Sequence, residues 1–148
     1  MKVLVAYDGT LQSKDALRYG MEKVREQGGE VLALHVFNSS MFIDYDASPE
    51  AVEAARRESA AHVEAAKLLM KEEGKGVKTG LFVGEGDPEE EVIQFAEERN
   101  VDLLLCPPRY RSVVKRFKRM AEERGRAARE NAILDRTEKL RMAEVSIQ

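Results

Sequence analysis

Four short apolar runs, separated by stretches with helical periodicity, constrain this chain more than any other feature. The runs are Val3 to Tyr7, Val31 to Phe37, Thr79 to Val83 and Val101 to Cys106. They have strand length and lack strict alternation, as expected of parallel strands covered on both faces. Between them, apolar residues recur three and four positions apart. The first set is Ala16, Leu17, Met21 and Val24; the second is Ala51, Val52, Ala55, Val63, Ala66, Leu69 and Met70; the third is Val92, Ile93 and Ala96. Strands alternating with helices imply right-handed crossovers and a parallel sheet. The chain is therefore expected to be a single α/β domain over residues 1–148, an open sheet with helices on both faces. A last strand is expected over Glu144 to Gln148.

Turn chemistry supports this order. Ser13 is a candidate cap for the first helix, and Gly28-Gly29 ends it. Ser48-Pro49 starts the second helix and Gly74 stops it. Asp87-Pro88-Glu89-Glu90 reads as a cap, a proline at the first helical position and a capping-box glutamate. The carboxyl-terminal third is less regular. Ser112 is a candidate cap for a helix carrying Val113, Phe117, Met120, Ala121 and Ala128 on one side, whereas Ile133 and Leu140 project opposite. An enlarged, basic helical region over 109–142 is expected, with a bend, break or change of packing partner between Arg129 and Ala132.

The most unusual stretch is "LLLCPPRYRSVVKRFKR" at 103–119. A buried strand ends in Cys106-Pro107-Pro108, and six cations follow within eleven residues. Residues 109–129 hold nine Lys and Arg against Glu122 and Glu123, a local charge of +7 in a chain whose net charge is −3. In open α/β sheets, ligands bind beyond the carboxyl ends of the strands. Arg109 and Arg111 could fork to phosphate oxygens, with the amides after Ser112 and the Lys115 ammonium adding to an anion site. The same charge could dock an acidic protein, or form an ordinary solvated face. Nucleic acid is disfavoured, because Tyr110 and Phe117 are the only aromatics in the segment and Phe117 lies on the apolar stripe.

Other chemistry has little support in the sequence. The two histidines, His35 and His62, fall on a buried strand and inside a helix, and the single Cys106 has no evident histidine partner. No metal-ligand spacing and no Walker sequence occur. A non-enzyme without a metal is expected. No apolar run approaches the roughly 18 residues that suggest a membrane span. The amino-terminal apolar stretch is too short for a secretory leader, so a cytoplasmic location is the expectation. Met41, Phe42, Ile43 and Tyr45 in the connection 38–48 fit either a partner surface or packing against the sheet.

"KVLVAYDGT" followed by Ser13 and Ala16, "ALHV" at 33–36, "VGEGDP" at 83–88, "VDLLL" at 101–105 and "LRMAEVSIQ" at 140–148 together resemble the universal stress protein family. The resemblance implies a five-stranded parallel sheet in the order 3-2-1-4-5, a homodimer, a stress-response role and, in many members, bound ATP or AMP. Asp8 matches the family's acidic residue near the adenosine, and Val36 matches the residue whose backbone reads the adenine edge. Nucleotide-binding members also carry Gly-x2-Gly-x9-Gly-Ser/Thr after strand four. Here those four positions are Pro107, Tyr110, Met120 and Ala121. Glycines let a backbone approach phosphates and aim N–H groups at them; proline has no N–H to aim. The expectation is a stress-response binding or signalling protein without the usual ATP site. Two alternatives stay open. One is an adenine-nucleotide or phosphate binder using Asp8, Val36 and the Arg109/Arg111 turn. The other is an adaptor docking an acidic partner through the basic helix. A twin chain is expected to pair along Glu144–Gln148, if that strand lies at the sheet edge.

Overall fold

Val3, Leu4 and Val5 are fully buried because β1 (Lys2–Ala6) runs through the middle of the sheet. This computed structural model describes the backbone of residues 1–44, 46–134 and 140–147, and the side chains of all of these except 43, 44, 132–134, 140 and 141. After β1 come α1 (Leu11–Gln27), β2 (Glu30–Phe37), the short α2 (Ser40–Asp44) and α3 (Pro49–Glu73). Then follow β3 (Lys78–Glu85), α4 (Pro88–Glu98), β4 (Leu103–Cys106), α5 (Arg111–Glu123), β5 (Ala128–Leu134) and β6 (Leu140–Ile147). The strands lie in the order β3-β2-β1-β4-β6-β5.

The α/β architecture is as expected, and β3, β2, β1 and β4 are all parallel. The far side of the sheet departs from five parallel strands. β6 runs antiparallel to β4, and β5 adds a sixth strand antiparallel to β6. The helical region expected over 109–142 ends at Glu123. Gly125, at φ +69, lets the chain turn back, so that the amides of Arg126 and Gly125 close on the carbonyls of Ala121 and Glu122. The change of packing partner thus comes earlier than the expected 129–132, and the chain becomes a strand rather than a second helix. Leu140 starts β6 and Ile133 falls in β5; Gln148 lies outside the described residues.

Two apolar layers flank the sheet. Leu4, Leu32, Leu34 and Leu104 meet α4 and α5 through Val92, Ile93, Ala96, Val113 and Phe117. Val3, Val5, Tyr7, Leu103 and Leu105 meet α1 and α3 through Leu17, Met21, Val24, Ala66 and Leu69. The α5 stripe read from sequence is therefore a core face: Phe117 and Ala121 are completely buried. The cap of α1 lies three residues before Ser13. Thr10 takes the extended conformation and its hydroxyl accepts from the Ser13 amide at 3.2 Å, leaving Ser13 buried inside the first turn. Phe42 stacks on Phe37 with ring centroids 5.7 Å apart, which favours packing for that residue, while Met41 stays exposed. The Ile43 side chain and Tyr45 lie outside the described residues.

Candidate functional site

β1, β2 and β4 end side by side, and the chain leaves β1 toward one side of the sheet and reaches β4 from the other. Such a crossover point opens a crevice at the carboxyl ends of the strands. Here it is a cleft of about 420 Å³, within the range of small-molecule sites. Asp8, Val36 and Arg109 line it, together with His35, Asp87, Glu89 and Tyr110. Of the six candidate site residues, the fold brings together only the first three. Arg111, Ser112 and Lys115 sit on α5 outside the cleft. Arg111 is bound to Glu130 of β5 at 2.7 Å, and the Ser112 hydroxyl donates to Glu89 at 3.3 Å. Lys115 is exposed. Ser112 does not cap α5, since Tyr110 holds that position without a side-chain cap bond.

Asp8 is the best-connected group in the cleft. Its Oδ1 accepts from the Thr10 hydroxyl at 2.6 Å and the Thr10 amide at 3.0 Å, and its Oδ2 accepts from Arg109 Nη2 at 3.1 Å. Burial pushes the Asp8 carboxyl up, but donors on Thr10, Arg109 and Ser13 outweigh it and hold the pKa below the usual carboxylate value. This ion pair joins two residues of the cleft lining. Against the same ion pair lies a smaller cavity of about 180 Å³, lined by Thr10, Gln12, Pro107, Pro108 and Met142 as well. The ion pair therefore divides the space beyond β1 and β4 in two.

The positions where the resemblance called for a glycine turn are now placed. Pro107 directly follows β4, Tyr110 precedes α5 and is half-buried, and Met120 and Ala121 are core residues of α5. A helix occupies the stretch that would otherwise loop. Three of its cations are engaged within the chain, Arg111 and Lys118 both with Glu130 and Arg116 with Glu90, and just beyond the helix Arg126 pairs with Asp102. Exposed pairs of this kind contribute little stability, yet each already neutralises a guanidinium or ammonium.

Sequence reasoning missed Asp87 and Glu89 as cleft residues. The signal was present, because they lie where β3 gives way to α4, on the carboxyl side of the sheet. Asp87 occupies the cap position of α4 but makes no side-chain cap bond, so its carboxylate is not consumed by the helix.

His35 is 5% exposed, and its two ring nitrogens are both engaged, Nδ1 with the Tyr7 carbonyl at 3.0 Å and Nε2 with Ser59 Oγ at 2.6 Å. A carbonyl only accepts, so Nδ1 carries the proton and the Ser59 hydroxyl donates to Nε2. Burial holds the His35 pKa below its ordinary value, which keeps the ring neutral. His62 from α3 meets His35 edge-on at 5.9 Å and lies over Gly9, the residue after Asp8. Cys106 is buried and its thiol is pushed up to about 12, chiefly by burial and then by Glu130. Among the described residues no cluster of three or more His, Cys, Asp or Glu could hold a metal ion, and no helix is long and apolar enough to cross a membrane.

Comparison with known proteins gives a consistent picture. The model of the universal stress protein family matches residues 1–132. A curated relative, universal stress protein MJ0531 of Methanocaldococcus jannaschii, is 28% identical over 107 residues, covering 70% of this chain and 62% of its own length. The chain thus spans less than two thirds of that relative. Among solved structures, hypothetical protein PH0823 superposes with a TM-score of 0.55 at 27% identity, covering 80% of this chain and 88% of that one. A universal stress protein in complex with cAMP superposes with a TM-score of 0.51 at 17% identity, covering 70% of this chain and 69% of that one. A likeness as remote as the second bears on the fold.

Proposed function

The chain belongs to the universal stress protein family, and from that premise we propose a non-enzymatic binding and signalling protein, working in the cytoplasm, that does not cradle ATP at the turn after β4. The observation that carries this reading is the Arg109–Asp8 ion pair beside Pro107-Pro108. The cation closest to the cleft is already paired with the acidic group expected near an adenosine. The two prolines offer no amide to a phosphate. The space that a glycine loop needs is taken by α5, with Met120 and Ala121 in the core. Any bound triphosphate must also face Asp87 and Glu89 in the same cleft, and like charges repel.

The pairing of Ser59 with His35 fits a structural role. Ser59 lies in the interior of α3, where backbone N–H groups are spent on helix hydrogen bonds, so no oxyanion donors converge there. Its hydroxyl satisfies the second nitrogen of a buried imidazole.

A second reading has one observation in its favour: Asp8, Val36 and Arg109 do line one cleft of suitable size. A nucleoside or a monophosphate could enter if Arg109 left Asp8 for the ligand. A remote structural neighbour is a universal stress protein in complex with cAMP, which supports this reading without assigning a nucleotide to this chain. The adaptor reading is weakened by the carboxylates that already neutralise Arg111, Arg116, Lys118 and Arg126.

Calorimetric titration with ATP, AMP and adenosine, at low and moderate salt, separates these readings. The proposal expects no heat from ATP. Micromolar ATP binding that disappears in Arg109→Ala would establish the second reading instead, and steady ATP turnover would overturn the non-enzyme assignment. A homodimer remains part of the proposal, but its expected interface does not. β6 lies between β4 and β5, so residues 144–147 have no free edge to offer a twin.

A further inference from the structure

The cleft at the ends of β1 and β2 has a lining whose charge runs one way. Asp8, Asp87 and Glu89 bring three carboxylates to it, and Arg109 is the one cation among the described lining residues. His35 adds no charge, because burial keeps its ring neutral. Asp87 and Glu89 lie at the start of α4, where the positive end of the helix favours negative side chains. Asp87 spends no side-chain bond on the cap, and Glu89 accepts the Ser112 hydroxyl at 3.3 Å. Neither has an ion-pair partner among the described residues. Leu34, Val36, Pro88 and Tyr110 give the wall between these carboxylates an apolar character.

Arg109 shows what such a lining holds. Its guanidinium meets Asp8 Oδ2 at 3.1 Å and lies over the Tyr110 ring, 5.2 Å from the centroid. A carboxylate and an aromatic face are the two partners a guanidinium favours most. Thr10 donates to the other oxygen, Oδ1, through both its amide and its hydroxyl. That fixes the Asp8 carboxylate and leaves Oδ2 to a cation. Yet the Arg109 side chain is 65% exposed, and exposed pairs are held weakly. The chain has placed a displaceable cation of its own in the cleft.

We propose that this cleft binds a small linear organic dication, an alkylguanidine with an ammonium at its far end. The guanidinium takes the place of Arg109 on Asp8 and Tyr110. The aliphatic chain lies along Val36 and Pro88, and the ammonium meets Asp87 and Glu89. The fold sets the two ends of the site. β2 separates β1 from β3, so the strand ends that precede Asp8 and Asp87 stand about 10 Å apart, two strand spacings. A short aliphatic chain between two cationic heads bridges such a gap, and the cleft of about 420 Å³ has room for it. This assignment rests on the reading above, in which the cleft does not serve a triphosphate, and names the ligand class that the same cleft takes instead.

Titration calorimetry of the full chain at low salt tests it, with agmatine as the probe. Butylurea, which keeps the shape of an alkylguanidine without the charge, and ATP are run alongside. Agmatine should bind and butylurea should not. Asp87→Asn combined with Glu89→Gln should weaken agmatine roughly tenfold. Asp87 makes no cap bond, so α4 should survive the change. Arg109→Ala should tighten agmatine by up to about fivefold, because the competing guanidinium is gone. Amide NMR shifts on adding agmatine should centre on Asp8, Val36 and Tyr110. Loss of agmatine binding in Arg109→Ala would overturn the proposal. So would binding indifferent to the Asp87 and Glu89 changes, which marks a general attraction to acidic surface. Silence from both agmatine and ATP would overturn this proposal and leave the reading beneath it standing. ATP binding that disappears in Arg109→Ala would sink both.

Discussion

Gly9→Ala is the most informative single change, because two separate costs converge at one atom beside the cleft. Gly9 has φ +83, and a Cβ placed on it would lie 2.1 Å from His62 Nδ1. The backbone conformation alone costs an L-residue about 1–2 kcal/mol. The overlap is too severe to absorb, so His62 must swing out and lose its edge-on contact with His35. Ring contacts of this kind are worth about 0.5–1.5 kcal/mol. The total is about 1.5–3.5 kcal/mol, which for a domain of this size lowers Tm by roughly 3–14 °C. Thermal denaturation of Gly9→Ala, His62→Ala and the double variant measures both parts. In the double variant the overlap is gone and only the backbone strain should add to the His62→Ala cost, so the two changes should couple by about 1 kcal/mol. A Gly9→Ala chain as stable as the parent would refute the close approach of α3 to this turn. Strict additivity would show that the cost is backbone strain alone.

Phe117→Ala removes a fully buried ring from the layer between α5 and the sheet and should cost about 3–5 kcal/mol in urea denaturation, with the midpoint rather than the slope carrying the change. Asp8 has a folded pKa below its unfolded one, so its stabilisation is fully present above the unfolded value near 4. It is lost as pH falls through the folded value. Asp8→Asn should accordingly flatten acid denaturation in that window, and carboxyl NMR titration of Arg109→Ala should find the Asp8 pKa higher than in the parent. The Cys106 thiol, pushed up to about 12, should resist alkylation at pH 8 in the folded protein and react on unfolding; rapid labelling of the native chain would contradict its burial.

The four parallel strands and the helices between them were legible because each rests on local information. Apolar runs of strand length, Ser48-Pro49 opening α3 and Gly28 closing α1 need no distant partner to be read. Asp8 and Val36 were named by the resemblance to the universal stress proteins and Arg109 by its place after β4; the parallel strands, whose carboxyl ends gather at one rim, bring the three to one cleft. Arg111, Ser112 and Lys115 were assigned to that rim by proximity in sequence. The helix that begins at Arg111 carries them away from it, and Glu130 takes up Arg111. Asp87 and Glu89 were read only as helix-start residues, although the same rim argument reaches them.

By itself the amino-acid sequence determined the alternating βα order, the parallel core of the sheet and the lack of amide N–H groups at Pro107 and Pro108 after β4, because periodicity and proline chemistry act within a few residues. The fate of residues 124–134 and the place of β6 in the sheet were settled only in three dimensions. Ala128–Leu134 has a weak strand pattern and becomes one because β6 lies alongside to accept its hydrogen bonds. That insertion of β6 between β4 and β5 is a long-range pairing, and it decides which edges of the sheet remain open. The engagement of Arg109 by Asp8 across 101 positions is likewise a product of packing: the residues that meet are the ones whose strands end together, however far apart they stand in the chain.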